Sequence, residues 1–106
     1  MVRIAKLKID SMQLPLYQAA LKEGIDAAIH REPGVVSLYA VAEKGNPTAI
    51  TVFEIYANME AYKSHLEMPH FKKYKSMTQS MVLSLELLET TPIILAPQPN
   101  VKKKLK

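Results

Sequence analysis

Phe53-Glu54-Ile55-Tyr56-Ala57-Asn58-Met59-Glu60-Ala61-Tyr62-Lys63-Ser64-His65-Leu66-Glu67-Met68-Pro69-His70-Phe71-Lys72-Lys73-Tyr74 carries a strand into a helix and then interrupts the helix at a proline. The β-rich run ends near Ala57. Asn58 is a good N-cap, and Glu60 falls in the first turn, where the positive end of the helix dipole favours a carboxylate. The residue before a proline is pushed out of the helical region, so Met68-Pro69 ends one helical piece and starts a second. This stretch holds two of the three histidines and three of the five tyrosines, in a chain without Cys or Trp. Any chemistry is therefore sought here first.

Working outward, Val2 to Asp10 sets Arg3, Ala5, Leu7 and Ile9 against Ile4, Lys6 and Lys8, the period of a strand. Pro15 suits a first helical turn, and Leu16 to Arg31 places Ala20, Leu21, Ile25, Ala28 and Ile29 at helical spacing. Gly24 within it suggests a close approach to the sheet. Glu32-Pro33-Gly34 stops that helix. Val35 to Lys44 and Thr48 to Ala57 flank Gly45-Asn46-Pro47, which is hairpin chemistry. After the broken helix, which runs to about Ser80, Val82 to Glu89 reads as a last strand with Leu83, Leu85 and Leu87 on one face.

The order β-α-β-β-α-β predicts an α+β, ferredoxin-like fold with a four-stranded antiparallel sheet. Helices cover only one face of such a sheet, yet the strands carry apolar residues on both. Val36, Leu38 and Ala40 oppose Val35, Tyr39 and Val41, and Ile50 and Val52 oppose Phe53 and Ile55. An uncovered apolar face is an interaction surface, so the expectation is a homodimer packed sheet against sheet.

A chain of 106 residues is one domain, expected over residues 1–91 and followed by an extended, proline-containing basic tail over 92–106. The net charge of +4 belongs to that tail: Lys102, Lys103, Lys104 and Lys106 leave ten basic against ten acidic residues elsewhere. A near-neutral body argues against nucleic acid and membrane partners, and the tail reads as a solvated terminus. The absence of Cys excludes disulfides and thiolate chemistry. No leader-like or membrane-spanning stretch is read, which makes a cytoplasmic location the expectation.

Glu32-Pro33-Gly34 before the hairpin, Glu54-Ile55-Tyr56 closing a strand, and Ala61-x-x-x-His65-x-x-x-Pro69-His70-Phe71 together resemble the antibiotic biosynthesis monooxygenase domain family. The similarity spans about residues 2 to 90 and is closest to the small quinol monooxygenases, whose helix carries a matching His-Leu-x-x-Pro-His run. The resemblance implies a dimeric α/β barrel and a cofactor-independent oxygenase of a small quinol or polyphenol, with molecular oxygen as co-substrate. The family's heme-degrading branch matches poorly. Its iron-binding histidine falls at Lys75, its tryptophan at His65, and the asparagine of its first strand is missing among Ala5, Lys6, Leu7 and Lys8. Glu54-Ile55-Tyr56, where many relatives have Glu-x-Trp, keeps a second branch open: an isomerase or lyase of a small phosphorylated dicarbonyl related to autoinducer-2 processing. A non-catalytic ligand-binding dimer is the third reading.

Cofactor-free oxygenation needs a ring bound in a dry pocket, a base to remove its proton, and groups that steady the anion. Histidine is the natural base, and His65 is the candidate catalytic residue. Tyr56, His70, Phe71, Tyr74 and Tyr39 are the candidate substrate-binding residues. His65 ends one helical piece and His70 begins the next, so the two meet opposite helix dipoles. Free N–H groups at His70, Phe71 and Lys72 offer an anion site. Glu54, if it points inward, needs a partner such as Lys6, Lys8 or a histidine. No metal site is expected, because no carboxylate and histidine share one helical face at ligand spacing. Met59, Met68 and Met77 are packing residues that could also line an apolar pocket.

Overall fold

A computed structural model describes residues 1–99; the lysines assigned to the basic tail, from Lys102 onward, lie outside the described residues. Strands β1 (Val2–Ile9), β2 (Val35–Glu43), β3 (Asn46–Tyr56) and β4 (Val82–Thr90) and helices α1 (Leu14–Arg31), α2 (Met59–Glu67) and α3 (Pro69–Thr78) follow the anticipated order. The sheet order is β2-β3-β1-β4, and each neighbouring pair is antiparallel. This is the ferredoxin-like α+β arrangement: each crossover passes over one intervening strand. None of the helices described is long and apolar enough to cross a membrane.

The period-2 pattern of β1 sorts the two faces. Ala5, Leu7 and Ile9 turn toward the helices and form the main core with Tyr17, Ile50, Val52 and Met81. A second cluster of Ala28, Val35 and Tyr56 takes in Leu38, Ala61 and Tyr62. Lys6 and Lys8 lie on the opposite, open face, in register with Thr51 and Ala49. Tyr39 and Val41 share that face and are 49% and 65% exposed, while Phe53 and Ile55 are half-buried. The helices also stop short of β4. Leu83, Leu85 and Leu87 stay more than two-fifths exposed on the helix side, leaving a groove between them and α2–α3.

Local sequence explains how the helices end. Asp10 accepts the Met12 N–H and the Gln13 amide, each at 3.0 Å, to cap the 3-10 turn Ser11–Gln13; those bonds, that of Gln13 foremost, hold its carboxyl below the usual range. Asn58 caps α2 by accepting the Ala61 N–H at 2.8 Å. The pre-proline residues that end α1 and α2 are extended, Glu32 at φ −113°, ψ 102° and Met68 at φ −70°, ψ 142°. The hairpin is shorter than the sequence suggests: β3 already starts at Asn46, and Gly45 alone takes a positive φ, 83°.

Gly34 is where the α1–β2 turn passes under α2. A Cβ built there would lie 2.5 Å from the Ala61 Cβ, whereas one at Gly24 would meet only Tyr74 of α3, at 3.5 Å. Gly24 therefore faces a helix, not the sheet as its sequence suggested. Gly34→Ala must push α2 off the β2 entry and is expected to cost roughly 1–3 kcal/mol as an overpacked contact. Gly24→Ala, in ordinary contact, should be neutral or stabilise by up to about 1 kcal/mol through helix propensity. Urea midpoints of the two variants check the contrast; equal midpoints would contradict the close approach.

Candidate functional site

The two prolines that break the helices bring three side chains together. Pro33 turns Glu32 out of α1, and Pro69 restarts the chain so that His65 closes α2 while His70 opens α3. Glu32 Oε2 accepts the Nδ1–H of His65 at 2.9 Å and the Nε2–H of His70 at 2.5 Å. The side chains of Glu32, His65 and His70 are only 5%, 8% and 11% exposed. A carboxylate this buried needs donors, so both facing nitrogens carry hydrogen. That fixes the tautomer of neutral His65. Its Nε2 is left as an acceptor, with no protein partner among the described residues, and it is not sealed from solvent.

The ligand atoms of Glu32, His65 and His70 also lie within 4.8 Å of one another, close enough to suggest a metal site. The three come from the end of α1, the end of α2 and the start of α3, so a search along one helical face missed them. Ligands on ~2.0–2.1 Å bonds to a tetrahedral zinc ion stand about 3.3 Å apart. A single oxygen at 2.9 and 2.5 Å from two nitrogens would have to be spread to admit the ion.

His65 stands in a wall between two spaces. On one side is a cavity of about 80 Å³ lined mainly by Leu21, Ile25, Leu38, Val52 and Phe71. That is smaller than the ~150 Å³ apolar cavity known to admit benzene. On the other is the groove beside β4, about 550 Å³, floored by Leu7, Leu85 and Leu87. Glu54, Tyr56, His65, Phe71 and Tyr74 border both. The Phe71 ring centroid lies 4.9 Å from that of His65, and Tyr56 lies 5.5 Å away on another side.

Tyr56 is 2% exposed and donates its hydroxyl to Glu54 Oε1 at 2.7 Å. Burial first, and then the Glu54 charge, push its phenol far above the ordinary value, so it remains a donor. Tyr74 and Tyr17 join hydroxyls at 2.7 Å, and burial raises both. Glu54 does point inward, but its partner is Tyr56. Lys6 and Lys8, the lysines considered for it, lie on the other face.

Of the sequence candidates, His65, His70, Tyr56, Phe71 and Tyr74 are brought together, and Tyr39 is not. It pairs with Phe53 on the open face, whereas Leu38 and Glu54 turn toward the helices. Met59 and Met77 are each 45% exposed, and neither they nor Met68 lines the cavity or the groove. The Lys72 N–H is bonded to the Met68 carbonyl at 3.0 Å, which removes one donor of the suggested anion site. His30 accounts for itself on the surface, with Nδ1 2.8 Å from the Asp26 carbonyl oxygen. Two residues of the site escaped the sequence reading. Glu32 looked like a helix stop, although a carboxylate before Pro33 is already fixed in direction, and Arg3 looked like one more residue in an alternating strand.

Residues 1–76 match the antibiotic biosynthesis monooxygenase domain. The chain is 51% identical to a candidate antibiotic biosynthesis monooxygenase from Bacteroides thetaiotaomicron, covering 92% of this chain and 93% of that one, with a TM-score of 0.89. A candidate monooxygenase from Lactobacillus acidophilus is 29% identical over 81% of this chain, with a TM-score of 0.80; the match spans 41% of that longer protein. A candidate antibiotic biosynthesis monooxygenase from Nitrosomonas europaea shares the fold, with a TM-score of 0.83 at 16% identity and coverage of 88% and 98%. Curated proteins give no significant match. The domain match takes in β1, the Glu32 turn and both site histidines, and the chain belongs to the antibiotic biosynthesis monooxygenase family.

Proposed function

We propose that the protein is a cofactor-independent monooxygenase of a small quinol or polyphenol, with His65 as the base. The observation that carries this reading is the commitment of His65 Nδ1 to buried Glu32, which leaves Nε2 as a proton acceptor at the edge of an apolar site. A quinol lying on Leu85, Leu87 and Phe71 gives its hydroxyl proton to Nε2. Glu32 steadies the imidazolium that results. The electron-rich quinolate then reduces dioxygen: one oxygen atom enters the ring, the other leaves as water, and the ring loses two hydrogens to become a hydroxyquinone. The cavity behind His65 has a size and lining suited to a small apolar gas. Phenolic Tyr56 is a donor for the oxyanion.

Oxygen uptake tests the reading. Wild-type protein with a panel of reduced quinols is expected to exceed the uncatalysed rate for at least one of them, and His65→Asn is expected to fall back toward background. No uptake above background with any quinol would remove the oxygenase reading. The open groove and cavity favour turnover over a purely structural dimer.

The working form in this proposal is a homodimer, sheet against sheet, because Tyr39, Val41, Phe53 and Ile55 form an apolar surface that no helix covers. Sedimentation at micromolar concentration is expected to give a dimer; a monomer would contradict the packing argument.

A further inference from the structure

We infer that the groove takes a ligand bearing an anionic group, a carboxylate or a phosphate, and that Arg3 is the residue that selects it. The inference deepens the quinol reading and rests on it for the reaction. Arg3 is 8% exposed and extends from β1 into the groove wall beside Glu54, its cross-strand neighbour. Its guanidinium carbon sits 4.6 Å from the centroid of the Tyr62 ring, which fixes the plane of the fork. The acceptor it has within the protein is Glu89 Oε1, at 3.3 Å and with a side chain 78% exposed.

One long bond to a solvated carboxylate engages one of five donors and contributes little against the desolvation of a buried cation. Glu54 and Glu89 are both in register with Arg3, on β3 and β4, and Glu54 accepts the Tyr56 hydroxyl on Oε1. No buried side-chain nitrogen in the described residues lacks a partner, so the Arg3 nitrogens without one keep access to solvent, and Arg3 lines the groove. The groove's other ionisable side chains are Glu54, His65, Lys75 and three tyrosines, and among the described residues the ion pair of Arg3 is the single one to Glu89, so no carboxylate engages both arms of its fork. A planar, bidentate anion would. The ligand that fits has an anion at Arg3, a ring over Leu87 and Leu85, and a hydroxyl at His65. This describes a hydroxylated aromatic acid more closely than a neutral quinol.

The test is anaerobic calorimetry with 2,5-dihydroxybenzoate, hydroquinone, inorganic phosphate and acetate, which reads binding without turnover. Wild type is expected to prefer 2,5-dihydroxybenzoate to hydroquinone at least tenfold. Arg3→Gln should abolish that preference and leave hydroquinone affinity unchanged. Should Arg3→Gln fail to fold, Glu89→Gln reports in its place: freeing the guanidinium is expected to tighten dihydroxybenzoate binding two- to tenfold, where a merely structural ion pair would lower thermal stability and leave affinity alone. Phosphate displacing dihydroxybenzoate more strongly than acetate does assigns the subsite to phosphate, and the reverse order assigns it to carboxylate. Equal affinity for the two rings in wild type, or a preference that survives Arg3→Gln, overturns the inference. Arg3-dependent binding without oxygen uptake would keep the anion site and discard the oxygenase reading.

Discussion

His65→Asn is expected to lower kcat/KM for quinol oxidation by about 10²–10⁴-fold, the usual contribution of a positioned general base, while leaving the fold in place. An Asn amide nitrogen reaches the position of Nδ1, so Glu32 keeps a donor and the buried carboxylate is not stranded. What is lost is Nε2, the one ring atom of His65 without a protein partner in the described residues. The loss should appear in kcat with little change in KM, since the ring of the substrate rests on Leu85, Leu87 and Phe71 and not on the base. Steady-state oxygen uptake and a urea titration of the same sample separate the outcomes. A drop in KM-dependent binding with kcat preserved would make His65 a wall residue instead of a base.

The strands were legible because β1 alternates without a break and both hairpin strands are rich in β-branched residues. Asn58 and Pro69 fixed the ends of α2 and α3 through local chemistry that tertiary packing did not override. The convergence of His65 and His70 was not legible. Five residues across a broken helix have no defined angular relation, and only a third side chain, Glu32, gives them one. Glu32 lies 33 residues from His65 in sequence, and nothing local to it marks burial. Tyr17 was lost for a similar reason: it is 0% exposed because α3 brings Tyr74 to its hydroxyl, a contact between elements that periodicity within α1 does not encode. The ridge of Leu83, Leu85 and Leu87 was placed on one face correctly, yet its exposure follows from helices too few to cover the edge strand.

Glu32 is where stability and chemistry meet, and its two simplest substitutions should fail differently. Glu32→Ala removes the acceptor that two nearly buried N–H groups have among the described residues, and at about 1–3 kcal/mol for each stranded donor the loss is roughly 2–6 kcal/mol. Against a total stability of about 5–15 kcal/mol, that shifts the urea midpoint strongly. Glu32→Gln keeps the shape. Because one oxygen, Oε2, accepts from both imidazoles, the amide either sets its carbonyl oxygen there, keeping both bonds but not the charge that steadies the imidazolium, or sets its NH2 group there as a donor that requires an acceptor on each ring. If that acceptor is His65 Nδ1, the proton moves to Nε2 and the ring can no longer take a proton from substrate. A carboxylate-to-amide change that reverses the tautomer of a catalytic histidine in a serine protease costs about 10⁴-fold in kcat, and an effect of that order is expected here with the fold largely retained. Nitrogen-15 spectra of the two imidazoles report the tautomer directly, independent of any substrate. His65 protonated at Nδ1 in wild type is the expected state, and a shift to Nε2 in Glu32→Gln marks the amide whose NH2 group faces the rings. An unchanged spectrum together with unchanged kcat would mean that Glu32 only fills space between α1 and the helix break.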